Sequence, residues 1–124
     1  MSLRHRTALA AVLILAVLAL PAAASADSSV QAARKCSLSS GEQRGGLGAT
    51  YTSNLSAKNV SCGTAKSIAR GFNNCRKGRK ASRCNPSGYN CRESRKANSS
   101  AQRSARVRCK KGSRVVRFAY VQNK

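Results

Sequence analysis

The sequence predicts an α+β fold in which one amphipathic helix packs on a small antiparallel sheet and disulfides crosslink the domain. Three observations favour this fold. Apolar residues recur at helical spacing between Gly63 and Arg76. Two segments near the C-terminus show the period of two that is typical of strands. Finally, six cysteines stand in a short chain.

The first 26 residues have the organisation of a cleavable secretory signal peptide. Arg4 and Arg6 precede an apolar segment at 8–20, and the small residues 24–26 form an A-x-A cleavage site. The apolar segment is shorter than the roughly 20 residues that span a bilayer as a helix. An uncleaved anchor is the alternative, which Pro21 and the small residues after it disfavour. We expect cleavage after residue 26, a secreted, extracellular protein, and no transmembrane segment afterwards.

Residues 27–46 are rich in Ser, Ala, Gly and charge and lack apolar periodicity, so they predict a flexible leader before a domain at 47–124. We expect this leader to become ordered either near Cys36 or after Gly46. The next segment alternates from Ala49 to Leu55, with Tyr51 and Ser53 in the same series. This pattern predicts a strand that buries the face carrying these four residues.

A helix is predicted from Gly63 to about Arg76, with Ser61 as its N-cap. Gly71 lowers the helix propensity of this segment, and its small size would allow another element to approach closely. The apolar face of the helix consists of Ala65, Ile68, Ala69, Phe72 and Cys75, and the opposite side carries Lys66, Arg70 and Lys77.

The C-terminal half predicts a basic loop at 76–88 and then three strands. The strands are expected at Tyr89–Arg92, Ala105–Lys110 and Arg114–Val121, with the last two joined as a hairpin by the turn 111–113. The small polar residues from Glu93 to Arg103 predict an exposed loop. In the second strand, alternation places Ala105, Val107 and Cys109 on the buried face and Arg106, Arg108 and Lys110 on the outer face. In the third strand, Val116, Phe118 and Tyr120 point one way, and Val115, Arg117, Ala119 and Val121 point the other.

The six cysteines predict a disulfide framework, because an even number in a short secreted chain usually forms disulfides. A zinc site is the alternative; we expect no metal, because there is no C-x-x-C pair and His5 leaves with the signal peptide. Six cysteines allow 15 pairings, so any one pairing is a hypothesis. Closure of the basic loop favours Cys75–Cys84 and adjacency of strands favours Cys91–Cys109, which leaves Cys36–Cys62.

One set of spacings runs from Cys62-Gly63-x-Ala65 through Cys75 and Gly88-Tyr89-x-Cys91 to Cys109-x-x-Gly112 and Val116-x-Phe118-x-Tyr120. This arrangement resembles a loose group of short, secreted, cysteine-containing proteins from high-GC actinobacteria whose function is unknown. The resemblance covers roughly residues 49–123. Because it consists of cysteine and glycine spacings, it bears on the fold and implies no activity, substrate or site.

Charge is the strongest functional signal in the chain. The chain holds 24 Lys and Arg against three acids, a formal net charge of +21, and loss of the two signal-peptide arginines leaves +19. Proton transfer near neutral pH requires a group that titrates there, and none is evident. Glu93, flanked by Arg92 and Arg95, is interpreted as an ion-paired surface residue. We therefore expect neither an enzyme nor a cofactor.

A surface this basic attracts polyanions by counterion release. The candidate partners are anionic cell-wall polymers, phospholipid headgroups, released nucleic acid or an acidic protein, bound by a monomer. We expect no specific nucleic-acid recognition, since most of the five aromatic residues are needed for the core. The residues predicted to bind are Arg106, Arg108 and Lys110 on the sheet and Lys66 and Arg70 on the helix.

Two other interpretations of the charge remain open. High net charge keeps a secreted protein soluble without any ligand, so the cations could form only a solvated surface. A secreted, disulfide-bonded domain could also be a protease-inhibitor-like or other protein-interaction module. Its presented loop would then be Glu93–Arg103 or Arg76–Cys84.

Overall fold

A computed structural model describes residues 31–124; the predicted signal peptide and the start of the leader lie outside the described residues. One helix packs against one face of a five-stranded antiparallel sheet of order β1-β2-β5-β4-β3. This arrangement confirms the predicted α+β fold. The elements are β1 (Arg34–Lys35), β2 (Tyr51–Lys58), α1 (Cys62–Gly78), β3 (Asn90–Asn98), β4 (Gln102–Lys111) and β5 (Arg114–Asn123).

Residues 34–46, predicted to belong to a flexible leader, form part of the domain. β1 pairs with β2, and Cys36 is buried. A short helical turn follows at Glu42–Gly46. Its start is closed reciprocally: the Ser39 N–H donates to Glu42 Oε2 at 2.8 Å, and the Glu42 N–H donates to Ser39 Oγ at 3.2 Å. This capping box is visible in the sequence, although the composition of the segment suggests disorder.

The buried face of β2 differs from the predicted one. Thr52, Leu55 and Ala57 are buried, whereas Tyr51 is 39% exposed. The register against β5 shifts between Ser53 and Ser56, and Asn54 between them has a φ of 54°. A bulge adds one residue to one strand, so it reverses the alternation of buried and exposed positions partway along β2.

The helix matches its predicted face. The Thr64 N–H donates to Ser61 Oγ at 3.1 Å, which confirms the N-cap. Gly71 lies against Pro86: a Cβ on Gly71 would stand 2.9 Å from the Pro86 Cβ. The close approach that a small residue permits is therefore made by the loop before β3. The buried apolar residues of α1 are Ala65, Ile68, Ala69 and Phe72.

The segment Glu93–Arg103, predicted as an exposed loop, is a paired hairpin instead. β3 and β4 pair from Asn90↔Lys110 out to Asn98↔Arg103, and only residues 99–101 connect them. Most of β3 beyond Cys91 is exposed, so this part of the hairpin shows no apolar alternation from which a strand could be predicted. The hairpin between β4 and β5, with Gly112 at a φ of 58°, is as predicted.

The core lies between α1 and the inner face of the sheet. Phe72 of the helix meets Phe118 of β5 edge to face, with ring centroids 5.8 Å apart. All three predicted disulfides are present: Cys36–Cys62, Cys75–Cys84 and Cys91–Cys109, with Cα–Cα distances of 5.5, 5.7 and 4.0 Å. Among the described residues, no helix is long and apolar enough to cross a membrane.

Candidate polyanion-binding surface

The outer face of β4 carries three exposed cations. Ala105, Val107 and Cys109 are at most 2% exposed and face α1, while Arg106, Arg108 and Lys110, which alternate with them, are exposed. The period of two therefore places these predicted binding residues side by side on the solvent face, as expected.

The register of the sheet adds further cations to this face. Arg108 lies directly opposite Arg92 on β3 and opposite Arg117 on β5. Arg117 pairs in turn with Ser56 of β2, whose other partner is Lys35 of β1. We call the outer surface formed by Lys35, Lys58, Arg92, Arg106, Arg108, Lys110 and Arg117 the arginine face.

Four members of the arginine face were not predicted as binding residues: Lys35, Lys58, Arg92 and Arg117. Their sequence signal is weak, because the hydrophobic pattern of a strand does not show which strands pair with it or in which register. Lys58 lies opposite Val115 of β5, which in turn lies opposite Lys110 of β4. Only the assembled sheet brings these cations next to Arg108.

No acidic side chain compensates the arginine face within the described residues, whose side-chain carboxylates are Glu42 and Glu93. Glu42 is bound to Lys66 of α1 at 2.9 Å, and Glu93 lies on the inner side of β3, opposite the buried Val107. Like charges directly opposite each other on adjacent strands destabilise a sheet. The row formed by Arg92, Arg108 and Arg117 therefore keeps an unrelieved repulsion that an anion could neutralise.

Three shallow depressions lie between the side chains of the arginine face, with volumes of about 320, 490 and 280 Å³. Arg108 lines all three. The first also contains Ala119, and the third contains Val115, so aliphatic stems and small apolar residues separate the charged groups. The surface is a broad, shallow cationic plane rather than an enclosed pocket.

The two helix cations predicted as binding residues lie elsewhere. Lys66 is paired with Glu42, and Arg70 Nε donates to the Gly46 carbonyl at 3.0 Å. Both project from the side of α1 that faces away from the sheet, since Ala65 and Ala69 occupy the packed side. The five predicted residues therefore lie on two separate surfaces. The two on the helix, Lys66 and Arg70, already contact Glu42 and Gly46.

Glu93 is ion-paired, but its predicted place on the surface is wrong: its side chain is only 7% exposed. Its carboxylate accepts hydrogen bonds from Arg103 Nη2, from Tyr120 Oη at 2.8 Å and from Arg95 Nε at 3.4 Å. Burial raises the pKa of Glu93, but the hydrogen bonds from Arg103 and Tyr120 outweigh this effect, so the pKa lies below its ordinary value. Glu93 is therefore ionised near neutral pH.

Arg76 extends this cluster beneath the sheet. Its guanidinium carbon lies 3.7 Å from the centroid of the Tyr120 ring. Its Nε donates to Asn73 Oδ1 and its Nη2 to Gln122 Oε1, both at 3.1 Å. Burial lowers the pKa of Arg76 and raises that of Tyr120 to about 12. Near neutral pH, Tyr120 thus stays protonated and Glu93 stays ionised, so neither group changes its protonation state there. The contacts of Arg76 connect the helix to the sheet.

The part of the chain from residue 31 onward holds no group of three or more His, Cys, Asp and Glu side chains that could bind a metal ion. No protein family, curated protein or solved structure matches the chain.

Proposed function

We propose that this protein is a secreted, non-enzymatic basic domain that binds anionic polymers of the cell envelope through the arginine face. One observation carries the proposal: seven cations share one sheet face, and none of them forms an ion pair with a carboxylate side chain of the described residues. A surface that served only solubility would have no need to concentrate its cations against their mutual repulsion.

The chemistry of the arginine face suits phosphate groups. Four of its seven cations are arginines, whose planar guanidinium can donate two parallel hydrogen bonds to one phosphate. Neutralising phosphates releases the counterions condensed on the polymer, which favours binding without any reading of sequence. A polyanion would also relieve the repulsion along the row formed by Arg92, Arg108 and Arg117.

Export is part of the proposal. Three disulfides in a domain of this size are typical of extracellular proteins, in agreement with the signal peptide expected at residues 1–26. An exported protein comes into contact with the cell envelope, so an envelope polymer is the polyanion that we propose as its ligand.

The experiment compares two variants of equal charge. The face variant R106Q/R108Q/K110Q removes three cations from the arginine face, and the control variant R44Q/K66Q/R70Q removes three from the helix side. Dissociation constants for a glycerol-phosphate cell-wall polymer are measured over a range of salt concentrations. The face variant should lose roughly 10- to 100-fold in affinity near physiological salt, and its slope of log K against log salt should fall by about 2 to 3. The control should change far less.

Two results would contradict the proposal. The first is equal loss in both triple variants, since it would mean that net charge alone governs binding. The second is parent protein that does not bind near physiological ionic strength, as expected for a merely solvated surface. Tight, salt-insensitive inhibition of a serine protease would favour the protease-inhibitor-like alternative. Thermal unfolding of each variant checks that the fold is retained.

A further inference from the structure

A large, open cleft lies at the free edge of β3, on the helix side of the sheet. This edge cleft, of about 1140 Å³, is bounded by the end of α1, the loop after it and the inner side of β3. Six cations line it: Lys77, Arg79, Lys80, Arg92, Arg95 and Arg103.

The one acid in the edge cleft is already neutralised. Glu93 is bound by Arg103, Arg95 and Tyr120, which leaves the exposed wall of the cleft cationic. Lys77, Arg79 and Lys80 are exposed, and their side chains make no hydrogen bond with the described residues. Arg103 Nε, by contrast, is buried without a hydrogen-bond partner. The cleft therefore offers several cationic groups that no carboxylate occupies.

Arg92 connects the edge cleft to the arginine face. It lines the cleft and also two of the three depressions on the outer surface. β3 is an edge strand, with β4 as its only neighbour in the described sheet. No backbone of a further strand separates the two cationic surfaces, which meet around the edge at Arg92.

Building on the proposed function, we propose that the ligand is a flexible linear polymer of phosphates that crosses the arginine face, turns over the β3 edge at Arg92 and enters the edge cleft. Crossing from Arg117 to Arg92 spans two strand spacings, about 10 Å, and reaching the helix side takes a similar distance. The ligand must therefore be a chain of on the order of 20 Å or more that can bend sharply. A rigid duplex or a flat bilayer could contact the outer surface but could not follow this path.

The test uses a cleft variant, K77Q/R79Q/K80Q, beside the face variant and the control variant already described. None of these three substitutions removes a hydrogen bond present in the described structure. Each protein is titrated with long-chain inorganic polyphosphate, tripolyphosphate, duplex DNA and vesicles containing an anionic phospholipid. A glycerol-phosphate polymer serves as the second flexible probe, which separates the requirement for a flexible phosphate chain from a preference for one backbone.

For long-chain polyphosphate, the cleft variant should lose roughly tenfold or more in affinity, with a salt slope lower by about 2. Its affinity for duplex DNA and for vesicles should stay within about twofold of the parent, because those ligands reach only the arginine face. The face variant should lose affinity for every probe. Tripolyphosphate, too short to bridge the two surfaces, should bind far more weakly than the long chain.

The inference fails if the cleft variant binds long-chain polyphosphate like the parent, or if it loses affinity equally for the rigid probes. Either result would leave the proposed function intact, provided that the face variant still binds more weakly than the parent. Failure of this inference can therefore be distinguished from failure of the proposed function. Should the cleft variant not fold, lysine acylation of the parent protein gives an independent measurement. Bound polyphosphate should protect Lys77 and Lys80 from the reagent, whereas bound duplex DNA should leave them reactive.

Discussion

At the scale of single residues, Glu93 is the carboxylate through which some of the protein's cations contribute to the stability of the fold. Its carboxylate accepts hydrogen bonds from Arg103, Arg95 and Tyr120. A buried carboxylate is tolerated when it is paired and hydrogen-bonded. Glu93 therefore joins β3 to β4 and β5, and its removal would leave neighbouring cations without their counterion.

We predict that Glu93→Gln lowers the free energy of unfolding by about 2 kcal/mol. The value lies below the 3–5 kcal/mol typical of broken buried pairs, because Arg95 is 59% exposed and solvent weakens its contribution. Denaturant unfolding with an unchanged slope measures the effect. Glu42→Gln is the matched control and should matter less, since the Glu42 side chain is 25% exposed against 7% for Glu93.

We also predict that the effect of Glu93→Gln on the unfolding free energy depends on pH. The folded pKa of Glu93 lies below the ordinary value of 4.5, so the unfolded state takes up protons first as the pH falls. The stability that Glu93 contributes is therefore present above about pH 4.5 and is lost as the pH falls through the lower folded pKa. The difference in unfolding free energy between parent and Glu93→Gln should shrink over that range. A constant difference from pH 7 down to pH 3 would contradict the ion-pair explanation.

At the scale of elements, the contact between Gly71 and Pro86 sets how closely the loop before β3 packs on α1. Alanine usually stabilises a helix interior over glycine by about 1 kcal/mol. At this position its Cβ would stand 2.9 Å from the Pro86 Cβ, a distance that requires one of the two elements to move. The short separation explains why a poor helix former lies in the middle of the helix.

We predict that Gly71→Ala destabilises the domain by about 1 kcal/mol, because the overlap outweighs the gain in helix propensity. Gly63→Ala is the control: its nearest neighbour would be Ser61 Oγ at 4.0 Å, so the substitution should be neutral or stabilising. Combining Gly71→Ala with Pro86→Gly removes the overlap and should recover part of the loss in a double-mutant cycle. If Gly71→Ala were as stable as the parent, the loop would be free to shift without cost.

At the scale of the whole molecule, the core is small for the number of residues it must order. Five of the buried core residues are alanines, and the fully buried larger side chains include Tyr120, Phe72, Leu47, Leu55 and Ile68. High net positive charge also opposes a compact state. The disulfides, which close chain segments of 26, 9 and 18 residues, are therefore expected to supply much of the stability.

We predict that full reduction unfolds the domain at 25 °C. Loop-closure entropy assigns the three crosslinks together on the order of 9 kcal/mol, comparable to the whole stability of a typical domain. Circular dichroism and thermal scans with and without reductant measure the change. The unreduced protein in the same buffer is the control. A cooperative thermal transition that survives complete reduction would show that the apolar core suffices.

Much of the fold could be predicted from the sequence because helix and strand periods are local properties. The spacing of Ala65, Ile68, Ala69 and Phe72 identifies the packed side of α1, and the alternation in β4 identifies its exposed cations. The turn at 42–46 was not predicted, and the Ser39-x-x-Glu42 spacing of its capping box is the signal from which it could have been found. The β3–β4 hairpin could not be predicted, since its distal part buries too little apolar surface to leave a pattern.

The sequence by itself determined the charge of the arginine face: an excess of cations, with Arg106, Arg108 and Lys110 turned outward. Only the tertiary structure decided which other cations stand beside them. Strand order and register place Arg92, Arg117 and Lys35 in the row of Arg108, and a single bulge in β2 changes which of its residues face inward. The reason is physical: the period of a strand assigns its residues to two faces, whereas pairing with distant strands determines what lies next to them.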